Sequence, residues 1–193
     1  YVILAQGPVT VHRADAVVLV NASSPRYADF TRYIQPYLKH FGVSYSVVNI
    51  ASTPVPTDIG DYALIIVGHS SLDTANTLLD ATEQNLLSTA VNNGTGFLNF
   101  DNDLVEFGTP RYPFIQNIFG FGYFSAFSES VAQINSSASI GGYVVGLQPN
   151  NATYNFPNAT PMLGVTLGSD SATLATLGPN PLLVARNYGA GRA

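Results

Sequence analysis

The segment Asp61-Tyr-Ala-Leu-Ile-Ile-Val-Gly-His69 constrains the fold more than any other stretch of the chain. Its apolar run has no polar alternation, so the strand it forms must be buried on both faces, as in a parallel sheet with helices on each side. The run stops at Gly68-His69-Ser70-Ser71. Open α/β sheets bind ligands at the carboxyl ends of their strands, so a site is expected at this corner.

Ala16-Val-Val-Leu-Val20 reads as a second strand of the same kind, followed by Ser24 as N-cap and Pro25 at the first helical position. Tyr27, Phe30, Ile34, Tyr37, Leu38 and Phe41 then recur at helical spacing, with a kink expected at Pro36 and a stop at Gly42. Tyr45–Ile50 is another strand. After Ser71 a short helical segment is expected, and Asp80 with Glu83 has capping-box spacing for a longer helix that ends at Gly94. Gly96–Phe100 is a fourth strand. Strands separated by helices in this way form right-handed crossovers and a parallel sheet.

Beyond residue 104 the pattern changes. Pro113 opens a short helix closed by Gly120, and 121–181 carries β-prone pieces at Gly142–Gly146, Leu163–Leu167 and Ala172–Thr176, with Leu182–Ala185 just after. These read as antiparallel strands or long loops at the edge of the sheet. The expectation is a single α/β domain with a flavodoxin-like three-layer fold, a mostly parallel sheet and a β-rich C-terminal part. It divides into a lead-in strand at 1–14, a parallel core at 15–120 and a β-rich part at 121–193. Tyr1 is neither an initiating Met nor the basic start of a signal peptide, so a longer parent chain is expected. The turn at Gly189-Ala-Gly-Arg-Ala193 has no strand after it in the sequence, which suggests a partner strand from elsewhere.

Only 10% of the 193 residues are charged and the formal net charge is −5, so there is no basic patch to hold a phosphate backbone. Nucleic acid is therefore not an expected partner. No apolar run is long enough to span a bilayer. The chain has no Cys, which removes thiol nucleophiles, thiolate metal sites and disulfides. Five sequons, at Asn21, Asn93, Asn135, Asn151 and Asn158, favour a glycosylated, secreted or extracellular protein.

The strand tips bring Asn21, His69, Ser70, Ser71, Asp101 and Asp103 toward one crevice. Two oxygen-bearing side chains, Asp101 and Asp103, with His69 as a further ligand or general base, suit a divalent cation such as Ca²⁺, Mg²⁺ or Mn²⁺. The same residues also suit a loop clip, with Asp101 bonded to neighbouring backbone amides and Asp103 capping a turn. Gly68-His-Ser-Ser-Leu72 resembles a nucleophile elbow but lacks the last glycine. No His follows Ser70, since His12, His40 and His69 are the full set. Asp101 and Glu106 form a carboxylate pair in sequence only. The aromatics from Tyr112 to Phe127 serve core packing, or in part stacking on sugar rings.

The series of strands and helices to residue 94, then Gly94-Thr-Gly-Phe-Leu-Asn-Phe100, Ile118-Phe-Gly-Phe121 and Tyr188-Gly-Ala-Gly-Arg192, resembles the class I glutamine amidotransferase-like superfamily. The likeness points to its ThuA-like or noncatalytic members, which are found beside carbohydrate-active enzymes. The family's nucleophilic Cys would fall at the corner held here by Phe100 and Asp101, and its later His is absent, so the resemblance implies no amidotransferase activity. A His that often follows this strand in ThuA-like relatives is replaced by Asp101.

The resulting expectation is a secreted, noncatalytic domain with a binding or scaffolding role in a carbohydrate-processing protein, without a cofactor or with a divalent metal. A metal-assisted glycan hydrolase is the second reading. A structural subunit of an extracellular assembly, contacting a neighbouring chain by strand addition, is the third.

Overall fold

The computed structural model describes residues 13–106, 109–135, 139–140, 143–144 and 152–193. Its centre is a four-stranded parallel sheet built from β1 (Arg13–Val20), β2 (Tyr45–Asn49), β3 (Tyr62–Val67) and β4 (Gly96–Asn99), in the order β2-β1-β3-β4. That order is the start of the flavodoxin-like arrangement. The unbroken apolar runs serve both faces. Val17, Leu19, Ile65 and Val67 enter one core cluster, while Ala16, Val18, Val20 and Ile66 enter the other. Fully burying each Val, Leu or Ile stabilises the fold by about 1.5–3 kcal/mol.

The smaller cluster is sealed by the helical segment after β1: α1 (Tyr27–Asp29), a π-helical turn (Phe30–Ile34) and α2 (Gln35–His40). The irregularity expected at Pro36 falls one turn earlier. Pro36 has no N–H to offer the preceding turn, and the Gln35 N–H reaches back five residues to the Phe30 carbonyl, widening the helix there. Ser24 is not the N-cap; its hydroxyl donates to the Ser71 carbonyl at 2.9 Å and the helix starts after Arg26. Tyr27, Phe30, Ile34 and Leu38 face the sheet. Tyr37 and Phe41, assigned to the same stripe by spacing, are exposed. The parallel sheet ends at β2, and no further strand among the described residues lies beyond it to cover them.

On the other face, α3 (Ala81–Asn92) opens with the expected capping box. Asp80 accepts from the Glu83 N–H at 2.8 Å, and Glu83 accepts from the Asp80 N–H at 3.1 Å. The second Glu83 oxygen accepts from the Val55 N–H at 2.8 Å, pinning the proline loop to the helix. Glu83→Ala removes both acceptors and is expected to lower stability by about 1–2 kcal/mol, read from the midpoint of urea unfolding. The short helix expected after Ser71 is absent. Asp73 accepts from the N–H groups of Thr77, Leu78 and Leu79, and these local bonds hold 73–79 in turns.

The second half begins with the hairpin β5 (Val105–Glu106) and β6 (Thr109–Pro110), then α4 (Pro113–Phe119), which ends at Gly120 with φ +65°. β7 (Phe121–Ile134), β10 (Thr153–Leu167), β11 (Ser171–Leu177), β12 (Asn180–Tyr188) and β13 (Gly191–Arg192) form an antiparallel sheet in the order β10-β7-β11-β12-β13. β8 (Ser139–Ile140) and β9 (Tyr143–Val144) form a small hairpin. The described residues are therefore α/β with a parallel sheet, a larger antiparallel sheet and two small two-stranded pairs, a correction to the mostly parallel sheet expected. Leu163–Leu167 and Leu182–Ala185 are parts of the longer strands β10 and β12, and Ala172–Thr176 is β11 short of one residue at each end. The piece at Gly142–Gly146 is described only as Tyr143–Val144; of the lead-in strand expected at 1–14, residues 1–12 lie outside the described residues, and Arg13 and Ala14 belong to β1.

The turn at Gly189 is followed by a strand. Gly191–Arg192 pairs with β12, and Ala193 exchanges backbone hydrogen bonds with Arg186 at 2.9 and 2.8 Å. The Ala190 N–H donates to the Asn92 carbonyl at 2.8 Å, fixing the turn against the end of α3.

Candidate functional site at the strand tips

The carboxyl ends of β1, β3 and β4 converge, and their polar side chains bond chiefly to one another's loops. His69 is buried. Its Nε2 accepts from the Asn21 N–H at 2.9 Å, and its Nδ1 lies 2.8 Å from the Ser70 carbonyl. A donor on one side and an acceptor on the other dictate the tautomer that carries hydrogen on Nδ1. Both ring nitrogens are thereby occupied. Tyr27 meets the ring edge-on, with centroids 6.1 Å apart.

Asp101 has the same character. Oδ1 accepts from the N–H groups of Ser71 and Asp103 at 2.9 and 2.8 Å, and Oδ2 from that of Leu72 at 3.0 Å. Burial pushes its carboxyl above the usual aspartate range, and the backbone donors offset only part of that rise. Asn99 bonds to both backbone groups of Asp101, donating to its carbonyl and accepting from its N–H. The Asn21 amide nitrogen donates to the Leu72 carbonyl at 2.9 Å, and Ser70 Oγ donates to Asn102 Oδ1. Ser71 holds φ +54°, the left-handed region, so that its N–H can reach Asp101. Ser71→Gly is expected to raise stability slightly, by up to about 1 kcal/mol, in thermal melts.

Asp103 accepts from Arg111 Nε at 3.4 Å, and Arg111 Nη1 also donates to the Thr74 carbonyl. The oxygens a cation would require are the ones that receive N–H donors, and an arginine lies beside Asp103. This donor set does not fit a divalent cation. His69, Ser70, Ser71, Asp101, Asp103 and Asn21 are thus brought together as a clip that joins three loops. The Glu106 side chain, paired with Asp101 in sequence only, lies outside the described residues.

Sequence reasoning missed Arg111 and Asp73, since an isolated Arg or Asp in a loop has no spacing signal. It also gave no role to the Tyr112 and Tyr123 hydroxyls. Both are raised well above the usual tyrosine range by burial, with the Asp101 charge adding to it.

Beside the clip lies a cleft of about 280 Å³. Asn99, Asp101 and Asn102 form its polar end, and the apolar wall includes Leu98, Phe100 and Phe121, with Met162 and Leu183 arriving from the antiparallel sheet. Leu98, Phe100 and Leu183 are between 43% and 49% exposed, so the wall is open to solvent. A larger concavity of about 530 Å³ around Gln116, Thr166 and Arg186 is more polar. Arg186 there is committed to Asp170 through Nε and Nη2, and to the Asn117 and Ile118 carbonyls through Nη1. It is a brace for the end of α4, and it holds the Asp170 carboxyl below its ordinary range.

No protein-family model and no curated protein matches the chain. Solved structures do share its fold. A protein of Bacteroides uniformis described as ThuA-like superposes with a TM-score of 0.61 at 13% identity, over 91% of this chain and 72% of its own. The cytoplasmic protein STM1381 of Salmonella typhimurium gives a TM-score of 0.65 at 14% identity, over 92% of this chain and 85% of its own. A second Salmonella typhimurium cytoplasmic protein, STM3548, gives 0.62 at 12% identity with the same coverage.

The fold is thus shared with a ThuA-like protein. These neighbours correct the expectation of a secreted or extracellular location. The fold occurs in proteins named cytoplasmic, so neither the fold nor the sequons place this chain outside a cell. The sequon amides of Asn21 and Asn135 are in any case bonded, to the carbonyls of Leu72 and Thr173. Asn151 lies outside the described residues.

Proposed function

We propose that this chain is a noncatalytic, amidotransferase-like binding domain whose ligand sits in the cleft at the end of β4. The observation that carries this reading is the contrast between the clip and the cleft. His69 and Asp101 spend their acid-base atoms on backbone partners, whereas the wall beside them presents half-exposed Leu98, Phe100 and Leu183. An apolar wall with polar groups at one end is the usual form of a small-molecule site. The ligand it suits has an apolar or aromatic body and one hydrogen-bonding edge. A sugar carrying an aromatic aglycone meets that description and keeps the role in carbohydrate processing.

Calorimetry with aryl glycosides and with the corresponding free sugars tests the reading. The aryl compounds are expected to bind, and Phe100→Ala to weaken them about tenfold through loss of ring contact. Binding left unchanged by Phe100→Ala and Leu183→Asp places the site elsewhere and rejects the reading.

A further inference from the structure

The three most exposed large apolar side chains among the described residues are Phe41, Tyr37 and Tyr33, at 73%, 64% and 57%. They lie on or just past the first helical segment, interleaved with its core-facing residues. Val47, also exposed, is on the edge strand β2; its register partner Val18 belongs to the core face under this same helix. The patch therefore runs from the helix over the open edge of the sheet.

The charges around it are distinctive. Of the seven Lys and Arg in the chain, Arg13, Arg111 and Arg186 form ion pairs with carboxylates, and Arg192 bonds to Asn187. Arg26, Arg32 and Lys39 have no carboxylate partner among the described residues, and all three are exposed on this one segment with His40. Arg32 lies over the Tyr33 ring, 5.9 Å from its centroid. A chain of net charge −5 thus concentrates its unpaired cations where it leaves its aromatics uncovered. Tyr, Phe and Arg together have the composition of protein-interface hot spots.

We propose that this face docks an acidic segment of another protein, its carboxylates meeting Arg26, Arg32 and Lys39 and its apolar side chains meeting Tyr37 and Phe41. A second copy joined through the same face is disfavoured, because a two-fold arrangement would set these cations against each other. This face lies at the β2 edge of the parallel sheet, whereas the cleft lies at the end of β4 on the opposite edge.

Fluorescence anisotropy with a labelled synthetic peptide rich in Glu and Leu tests the proposal, with phosphatidylserine vesicles as the comparison surface. Saturable peptide binding is expected. It should weaken about tenfold in Arg32→Ser/Lys39→Ser, and similarly in Tyr37→Ser/Phe41→Ser, with circular dichroism and melting unchanged because all four side chains are exposed. High salt should weaken it further. Absence of saturable peptide binding, equal binding by the variants, or binding to the vesicles alone would overturn the proposal.

Discussion

Asp101→Ala is expected to cost about 3–5 kcal/mol, because it strips the acceptor from three backbone N–H groups, those of Ser71, Leu72 and Asp103, at a buried site. The loss should appear in urea unfolding as a lower midpoint with little change in slope. Asp101→Asn is the more informative variant. Its oxygen can keep the Ser71 and Asp103 donors, but its NH₂ must then face the Leu72 N–H, so a loss of about 1–3 kcal/mol is expected. The pH dependence follows from the raised carboxyl. A folded-state value above the unfolded 3.8 means that folding takes up a proton in the window between them. The contribution of this group to stability is fully present below the unfolded value and is lost as pH rises through the folded one. Relative to Asp101→Asn, the wild type should therefore lose stability as the pH is raised through that window. A gain over the same window would contradict burial as the dominant influence.

Gly191→Ala has the second large effect. A Cβ there would lie 2.0 Å from the Val91 carbonyl oxygen and 2.6 Å from that of Thr95, both backbone atoms in the helix-to-strand corner between α3 and β4. Nothing flexible can give way, so the turn must lift off the corner. The cost is expected at about 3 kcal/mol, the upper end for overpacking, with loss of the β12–β13 pairing seen as rapid amide exchange at Arg186. Gly189 approaches Asn92 in the same way and holds φ +60°. The Gly-Ala-Gly sequence is thus a seat for this turn. A melt within about 0.5 kcal/mol of wild type for Gly191→Ala would show that the turn does not rest there.

The parallel sheet was legible because runs such as Ala16–Val20 and Tyr62–Val67 have only one way to bury both faces. The capping box at Asp80 and Glu83 was equally plain, since its chemistry is local. The antiparallel part was legible only as separate β-prone pieces, not as one sheet. β7 and β10 carry Ser, Thr, Asn and Gly at many positions, and their pairing depends on partners far along the chain. The strand tips were named from topology, but the sequence left open whether Asp101 binds a ligand or the backbone. That choice depends on Ser71 taking a left-handed φ and on the Leu72 N–H turning inward, and no residue pattern encodes either. The cleft wall was invisible for a related reason: Leu98 and Leu183 meet only when the two sheets are in place.

On the proposed reading, the strand-tip polar residues hold the structure while the apolar cleft beside them binds without turnover. Incubation with an aryl glycoside, following chemical shifts and released phenol in one sample, tests both halves together. Saturable shifts at Leu98, Phe100 and Leu183 are expected, with no phenol formed. Release of phenol by the wild type that is lost in Asp101→Asn while its fold persists would contradict it.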